Sequence, residues 1–302
     1  MCFSMITPKY LKQGDKIGII ATARKISKIE IEAAVEVLKS WGLEIVFGKN
    51  MFNSFYQFSG TDEERADDLQ QMIDDKSIKA VFCARGGYGT VRIIDKIDFS
   101  KFCKNPKWII GYSDITVLHS HINSNFSIET IHACMPINFT EELSEQTIPS
   151  LKKAIFGKLL EYEIVNQEFN MAGNAKGKLV GGNLSILYSL IGGKSDISTD
   201  GKILFIEDLD EYLYHIDRMM MNLKRTGKLD KLAGLIVGGM SKMNDNLIPF
   251  GKSANEIIAE IISEYDYPVC FDFPAGHISD NRALILGRMV ELNVSNTVTL
   301  KF

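Results

Sequence analysis

Ser113 stands at an abrupt change in the sequence pattern. The apolar run Trp108–Ile110 ends at Gly111, and an amphipathic helical pattern begins one residue after the serine. This pattern predicts a strand, a tight turn and a helix, with the serine hydroxyl at the apex beside N–H groups that have no intrahelical partner. A nucleophile and donors for an oxyanion are the groups that acyl transfer requires.

The match to a nucleophile turn is partial, so a second interpretation stays open. The usual motif is G-x-S-x-G, whereas Ile115 stands where the last glycine would be. Ser113 would otherwise be an ordinary helix N-cap, with Thr116 in the first helical turn. The motif alone does not decide between these two roles.

A serine nucleophile needs a general base and a group that orients the base. Four of the five histidines fall on predicted helices or at a strand end, which favours structural roles: His119, His121, His132 and His215. His277 lies in a loop with glycine and proline after a predicted strand, and such loops often carry catalytic residues. Glu207 closes an apolar strand, which predicts a carboxylate at the edge where α/β sheets bind ligands.

Two stretches allow other chemistry. The acidic group at 207–211 would suit a hard cation, but no glycine-turned ligand loop accompanies it, and we expect no metal. Loop 85–90, Arg-Gly-Gly-Tyr-Gly-Thr, precedes a helix, so its N–H groups would suit a phosphate. It matches neither common nucleotide-binding glycine motif, and a tight turn with positive φ is an equally simple interpretation.

The composition favours a soluble globular protein that acts on a small or peptidic substrate. Of 302 residues, 45% are hydrophobic, which suits one large or two medium domains. The net charge is −4 and the basic residues are scattered, which argues against nucleic-acid and membrane partners. No apolar stretch approaches the ~20 residues of a membrane span, and no signal peptide is evident, so we expect a cytoplasmic protein. Five cysteines without a C-x-x-C pair predict neither a disulfide framework nor a zinc site.

The order of elements predicts an open α/β sheet in the first half of the chain. Capping boxes at Ser27 and Thr61 predict helices that run to about Trp41 and Met72. The remaining helices are predicted to begin near 91, 114 and 141, and the strands cover 14–21, 43–47, 79–84, 108–111 and 126–132. Loop 85–90 and the Ser113 turn both follow strands, so they are expected to meet at one edge of a parallel sheet.

The second half is predicted to be mixed rather than purely parallel. A weak pattern after residue 157 indicates a crossing, and we place the domains at 1–160 and 175–302 with a linker at 161–174. The stretch 181–187 is predicted to open a helix, and further helices are predicted over 212–223 and 254–263, with strands at 202–206, 235–238 and 269–271. Segments 289–294 and 297–302 alternate around Ser295-Asn296, which predicts an antiparallel hairpin.

Five motifs, taken together and in this order, resemble the serine LD-carboxypeptidase family, which includes murein tetrapeptide carboxypeptidases and microcin C self-immunity peptidases. The motifs are Ala84-Arg-Gly-Gly-Tyr-Gly89, Ile110-Gly-Tyr-Ser-Asp-Ile-Thr-Val-Leu-His119, Gly181-Gly-Asn-Leu-Ser185, Phe205-Ile-Glu-Asp208 with Tyr214-His-Ile-Asp-Arg-Met219, and Gly276-His277. The likeness spans nearly the whole chain. It implies an N-terminal flavodoxin-like parallel-sheet domain that carries the serine, and a C-terminal mixed α/β domain, with antiparallel strands, that carries a glutamate and a histidine.

Transferred position by position, the resemblance implies a catalytic triad. Ser113 would be the nucleophile, His277 the general base and Glu207 the carboxylate that orients the base. The backbone N–H groups of Asp114 and Gly87 would form the oxyanion hole.

Two further residues are candidates for substrate binding. Arg85 has a planar fork that suits a terminal carboxylate, although it is equally suited to a structural ion pair. Asn183 either contacts substrate or caps the helix that follows it, and the cap is slightly favoured.

The resemblance implies removal of the C-terminal D-alanine from cytoplasmic murein tetrapeptides, without metal or organic cofactor, by a homodimer. Cleavage of a peptidyl-nucleotide antibiotic is an alternative, although neither Trp41 nor Trp108 lies in the second domain to stack on a base. A catalytically silent peptide-binding module is another. The chain departs from the family pattern at Gly192-Gly-Lys194 and at His132-Ala-Cys-Met-Pro136, so substrate choice is less well defined than reaction class.

Overall fold

The computed structural model describes residues 5–140 and 143–302. Its first half alternates strands and helices. In chain order they are β1 (Lys16–Ile20), α1 (Glu32–Ser40), β2 (Glu44–Phe47), α2 (Asp62–Asp74), β3 (Ile78–Cys83), α3 (Thr90–Ile93), α4 (Ser100–Lys104), β4 (Trp108–Gly111), α5 (Thr116–Phe126), β5 (Thr130–His132) and α6 (Thr147–Ile155). A 3-10 turn at Ser113–Ile115 joins β4 to α5.

The second half begins with two strands and ends with a hairpin. Its elements are β6 (Glu161–Val165), β7 (Gly173–Asn183), α7 (Leu184–Leu190), β8 (Ile203–Leu209), α8 (Leu213–Arg225), β9 (Gly234–Ser241), α9 (Ala254–Ile262), β10 (Val269–Cys270), β11 (Leu284–Leu286), β12 (Met289–Val294) and β13 (Thr297–Lys301).

The first sheet has the strand order β11-β5-β4-β3-β1-β2, and β1 to β5 are parallel. Without β11 this is the flavodoxin-like order, in which ligands bind beyond the carboxyl ends of the strands. Strands β3 and β4 are almost wholly apolar because both faces of the sheet are covered. The expected flavodoxin-like parallel sheet is therefore confirmed.

The second sheet has the order β10-β9-β8-β7-β12-β13-β6. Strands β7 to β10 pair in parallel, whereas β12, β13 and β6 add antiparallel strands. Buried apolar side chains of α8 and α9 share one core with those of β8 and β9. The mixed second half and its terminal hairpin are as expected.

Strand β11 belongs to the second half of the chain but completes the first sheet. It pairs antiparallel with β5, with Leu284 opposite His132 and Leu286 opposite Thr130. A largely buried ion pair fastens the same junction, because the Arg288 guanidinium donates two hydrogen bonds to the Glu129 carboxylate. The chain therefore returns to the first sheet directly after the loop that carries His277.

The residues predicted as a linker, 161–174, are part of the second sheet. They contain β6, which pairs with β13, and the first residues of β7. The weak hydrophobic pattern has a simple cause: β6 is an edge strand that exposes Glu161 and Glu163, and β7 is rich in glycine. The placement of the domain boundaries stays a prediction.

Several element ends differ from the sequence-based expectation. The strand expected at 126–132 is shorter, because α5 continues to Phe126 and β5 begins at Thr130. The helix expected at 141–156 is observed as α6, while residues 141 and 142 lie outside the described part of the chain. Thr61 forms the expected capping box with Glu64, whereas Ser27 precedes a 3-10 turn at Ile29–Ile31 that leads into α1.

Membrane-spanning helices were sought among the described residues. None of the helices there combines enough length and apolar character to cross a bilayer.

Candidate active site

The turn that carries Ser113 has a strained backbone. Ser113 has φ of 64°, which is rare for a residue with a side chain and costs about 1–3 kcal/mol. Neither the 3-10 turn nor α5 has a side-chain capping bond, so the helix-cap interpretation of Ser113 finds no support. Ser113 remains partly exposed, whereas Tyr112 and Asp114 on either side are buried. This geometry presents one hydroxyl at the carboxyl end of β4.

The glycine loop after β3 packs directly against this serine. A Cβ atom built on Gly86 would lie 3.0 Å from Cβ and 3.1 Å from Oγ of Ser113. The Asp114 carboxylate accepts the backbone N–H of Thr90 at 2.9 Å, and so ties the serine turn to the far end of the loop. The two segments expected to meet at this edge of the sheet therefore do meet.

The two predicted oxyanion donors belong to these two segments. Gly87 has φ of 110°, a conformation that favours glycine, and Asp114 follows the serine directly. The Asp114 side chain is almost completely buried, and burial raises the pKa of its carboxyl group. Donation by either backbone N–H to an oxyanion stays a prediction.

Glu207 and His277 form a buried pair. The Nδ1 atom of His277 lies 2.7 Å from Oε2 of Glu207, and the backbone N–H of His277 donates to the same oxygen at 3.2 Å. Gly276 allows this approach, because a Cβ atom there would lie 2.7 Å from the Glu207 carboxylate. The bond to Nδ1 leaves Nε2 as the ring atom available to another partner.

The imidazole of His277 contacts the ring of Tyr112, the residue next to the serine. The rings of Tyr112 and His277 have centroids 4.7 Å apart, which brings the His277 loop to the Ser113 turn. The Ser241 hydroxyl donates to the His277 carbonyl at 2.8 Å. His277 is thus fixed through its ring, its N–H and its carbonyl.

The charge around His277 favours its protonated form. Burial alone would lower the pKa of the imidazole, but the negative charge of Glu207, the hydrogen bond to it and the charge of Asp208 together raise the pKa of His277. The Glu207 side chain has no exposure, and among the described residues its Oε1 atom has no hydrogen-bond partner. Such a site stabilises the imidazolium that forms when a base accepts a proton.

The other four histidines have different surroundings. His119 contacts the Gly111 carbonyl at 2.9 Å, and burial lowers its pKa to about 4. His121 contacts Ser195 and His215 contacts Glu211. His132 is fully buried beneath Tyr112, and burial lowers its pKa well below the usual value. None of the four contacts Glu207 within the described residues.

Each carboxylate of the acidic stretch at 207–211 has its own partner. Asp208 accepts hydrogen bonds from Asn183 and Ser185, Asp210 from Asn244, and Glu211 pairs with His215. Burial and the neighbouring Glu207 raise the pKa of Asp208 to about 7. Across 5–140 and 143–302, no three acidic, histidine or cysteine side chains are grouped to hold a metal ion.

Asn183 caps helix α7. Its Oδ1 atom accepts the N–H of Ile186, and its Nδ2 atom donates to Asp208 at 2.9 Å. Both ends of the amide are therefore engaged inside the protein, and direct contact with substrate stays a prediction.

Arg85 lies at the entrance to the glycine loop, with about a third of its side chain exposed. It contacts Glu30 at 3.4 Å and the Lys25 carbonyl at 3.3 Å. An ion pair this exposed is weak, typically below about 1 kcal/mol, so it does not prevent the guanidinium from binding a substrate carboxylate. The clamp role stays a prediction.

The sequence analysis did not identify two residues that contact His277, namely Tyr112 and Ser241. Tyr112 was seen only as part of a motif, and Ser241 was not singled out. Ser241 is a polar residue at the end of β9, next to the strand that carries Glu207. That position is the signal that would have indicated it.

Models of one protein family match both halves of the chain. A family model for the LD-carboxypeptidase N-terminal domain matches residues 17–133, and one for the C-terminal domain matches residues 176–292. A probable murein peptide carboxypeptidase of Bacillus subtilis is 37% identical over 299 residues, covering 95% of this chain and 92% of that protein. The murein tetrapeptide carboxypeptidase of Pseudomonas aeruginosa is 26% identical, with 92% of each chain covered.

Solved structures share the fold over nearly the whole chain. Muramoyltetrapeptide carboxypeptidase from Oxalobacter formigenes superposes with a TM-score of 0.85 at 27% identity, covering 94% of this chain and 98% of that one. The microcin C7 self-immunity protein MccF, in complex with aspartyl sulfamoyl adenosine, superposes with a TM-score of 0.88 at 22% identity, covering 98% of both. At that identity the second likeness shows the fold alone. The family matches and the full-length Bacillus relative establish that the chain belongs to the LD-carboxypeptidase family of serine-type peptidases.

Proposed function

We propose that this enzyme removes the C-terminal D-alanine from murein tetrapeptides in the cytoplasm, as a step in cell-wall recycling. Ser113 is the nucleophile, His277 the general base and Glu207 the residue that orients it. The observation that carries the proposal is the buried Glu207–His277 pair, held by Tyr112 beside the strained Ser113 turn. The names of the Bacillus and Pseudomonas relatives support a murein peptide as substrate.

In the acylation half, Nε2 of His277 accepts the hydroxyl proton as Ser113 Oγ attacks the carbonyl carbon before D-alanine. The N–H groups of Asp114 and Gly87 stabilise the oxyanion of the tetrahedral intermediate. The imidazolium then gives its proton to the leaving nitrogen as the C–N bond breaks. Free D-alanine leaves, and the tripeptide remains as an ester on Ser113.

In the deacylation half, water attacks the ester carbonyl while His277 accepts one of its protons. The second intermediate collapses, and the imidazolium returns the proton to Ser113 Oγ as the ester bond breaks. The tripeptide leaves with a new carboxylate. Glu207 keeps Nδ1–H in place throughout, and its role is to hold the tautomer and stabilise the imidazolium.

Arg85 contributes to binding rather than to proton transfer. The substrate ends in a carboxylate next to the scissile bond, and a carboxypeptidase must recognise that group. Arg85 is followed directly by Gly86, which lies against Ser113. This position supports pairing of the guanidinium with the substrate carboxylate.

The direct test is incubation of the purified enzyme with a murein tetrapeptide, followed by mass measurement of the products. We expect loss of one alanine from the wild type and a fall in rate of about 10³-fold or more in Ser113→Ala. Ser189→Ala is a matched control, because Ser189 is exposed and, among the described residues, its hydroxyl bonds only the Ile186 carbonyl of its own helix. Undiminished release of D-alanine by Ser113→Ala would rule out the proposed nucleophile.

A parallel incubation with a peptidyl nucleotide tests the substrate class. Cleavage of that compound with no action on tetrapeptide would replace the murein assignment by the antibiotic-immunity alternative. Binding of tetrapeptide without any turnover would indicate a binding module. Fractionation of cells tests the location, since recovery outside the cytosol would contradict a role in recycling internalised peptides.

A further inference from the structure

The loop that carries His277 is attached to a helix of the other half of the chain. We call residues 273–283 the His277 loop; it lies between β10 and β11. Helix α6 runs along it, and three residues at or near the start of α6 bond it: Ser144, Thr147 and Ser150. Ser144 lies before the helix and donates its backbone N–H to the Ser279 carbonyl at 3.1 Å.

Thr147 makes the central contact. Its hydroxyl donates to the Ser279 carbonyl at 2.9 Å and accepts the backbone N–H of Asn281 at 3.0 Å. Thr147 and Asn281 are both buried, so water cannot replace the bond between them. One hydroxyl thus holds two points of the His277 loop, one on each side of Asp280.

Asn281 in turn bonds Gly276, the residue that precedes His277. Its Oδ1 atom accepts the backbone N–H of Gly276 at 2.9 Å, and its side chain is also almost completely buried. Gly276 is the glycine that allows Glu207 to approach His277. The path from Thr147 through Asn281 to Gly276 therefore ends at the catalytic pair.

We propose that Thr147 and Asn281 are positioning residues that set the imidazole of His277 against Ser113. This inference rests on the proposed catalytic roles of His277 and Ser113. Ser113 follows a strand of the first sheet, and α6 packs on the core of the same sheet through Leu151 and Ile155. Glu207 belongs to the second sheet, so the bonds from α6 restrain the His277 loop from the serine side of the site, in addition to the contact with Tyr112 and the pairing of β11 with β5.

The requirement for such a restraint is quantitative. A misplacement of about 1 Å between reacting groups can cost about 10²-fold in rate. Val is nearly isosteric with Thr but lacks the hydroxyl, so Thr147→Val would leave the buried Asn281 N–H unpaired. The Ser279 carbonyl would keep only the N–H of Ser144. The loop would then move to recover partners, and the imidazole would move with it.

The experiment compares kcat and KM for D-alanine release from tetrapeptide in matched variants. We expect Thr147→Val to lower kcat by about tenfold or more with KM changed less than about threefold, and Thr147→Ser to recover kcat to within about threefold. Ser150→Ala is the control. It removes two buried hydrogen bonds of the Ser150 hydroxyl, which accepts the Ala283 N–H and donates to the Thr147 carbonyl. The hydroxyl of Thr147 and the path to Gly276 stay intact.

Thermal melting of each variant separates positioning from general destabilisation. We expect Thr147→Val and Ser150→Ala to lose similar amounts of Tm while only the first loses kcat. Equal losses of kcat in these two, an unchanged kcat in Thr147→Val, or no recovery in Thr147→Ser would each overturn the proposal. Asn281→Ala removes only the acceptor for Gly276 and gives the same test if Thr147→Val does not fold.

A second measurement is independent of the peptide substrate. The rate at which a fluorophosphonate ester labels Ser113 reports the activation of the serine alone, and we expect it to fall in Thr147→Val and in His277→Ala but not in Ser150→Ala. If the wild-type Ser113 is labelled but the enzyme does not act on tetrapeptide, the proposed substrate is wrong. The labelling rates of Thr147→Val and Ser150→Ala would then still test the positioning role. Normal labelling of His277→Ala would contradict the proposed base instead.

Discussion

Replacing Gly86 by alanine should displace Ser113, the proposed nucleophile, and lower activity without unfolding the protein. The backbone of Gly86 does not have a positive φ, so the alanine is not strained by its own conformation. Its new methyl group would lie 3.0 Å from Cβ and 3.1 Å from Oγ of Ser113, and 3.4 Å from the end of Met135. The methionine can move, but Ser113 is fixed by its turn and by the buried Asp114 that follows it.

The size of the effect follows from these distances. Carbon atoms in contact normally lie about 3.5–4.0 Å apart, so Ser113 or the loop must move by roughly 0.5–1 Å. Overpacking of this kind costs about 1–3 kcal/mol of folding stability. Because a shift of about 1 Å at a reacting group can cost about 10²-fold, we expect kcat/KM to fall by about 10- to 100-fold.

The assay is D-alanine release from tetrapeptide, measured with Tm and with the rate of fluorophosphonate labelling of Ser113. Gly193→Ala is the matched control, since Gly193 also has a negative φ, lies in an exposed loop, and would place its methyl group 3.2 Å from the Leu190 carbonyl. We expect the control to retain its activity. Full activity and normal labelling in Gly86→Ala would refute the placement of the glycine loop against the serine.

Three further substitutions test individual groups of the site. Glu207→Gln should lower kcat/KM by about 10³-fold, because the neutral amide does not stabilise the imidazolium and its NH2 group can donate to Nδ1, which places the ring proton on Nε2. Activity within tenfold of wild type would exclude the orienting role. Asp208→Asn should move the acidic limb of the kcat/KM pH profile to lower pH. Removing this carboxylate lowers the pKa of His277, so the imidazole stays neutral at lower pH than in the wild type. An acidic limb that stays in place or moves to higher pH would contradict the role of this charge. Arg85→Ala should raise KM by about tenfold with little change in kcat, whereas Glu30→Gln should leave KM unchanged. An unchanged KM in Arg85→Ala would indicate that Arg85 serves its ion pair alone.

Much of the first sheet could be predicted from the sequence because its local signals agree with its packing. Strands β3 and β4 are continuous apolar runs followed by glycine-containing turns, and Thr61 begins α2 with a capping box that the structure confirms. The two turns at the site are marked by the residues that make them possible. Ser113 and the glycines of loop 85–90 could therefore be selected before any coordinates were known.

The rest depends on contacts between residues far apart in the chain. Strand β7 carries glycines at 173, 177, 181 and 182, because neighbouring backbone and Thr116 approach it closely, and glycine-rich segments are not predicted as strands. Strand β11 has only three residues, and nothing in Leu284–Leu286 indicates that its partner is β5. Thr147 looks like any residue at a helix start, and its role appears only when the His277 loop is packed against it.

The return of β11 to the first sheet affects how the enzyme is made. Because β11 is the outermost strand, a ribosome-bound chain that ends before residue 284 leaves the hydrogen-bonding edge of β5 uncovered, and an open edge can pair with another chain. The sheet that presents Ser113 is thus completed only after residues 284–286 emerge, and these follow His277 in the chain. A nascent chain that lacks β11 therefore exposes a sheet edge that can associate with another chain.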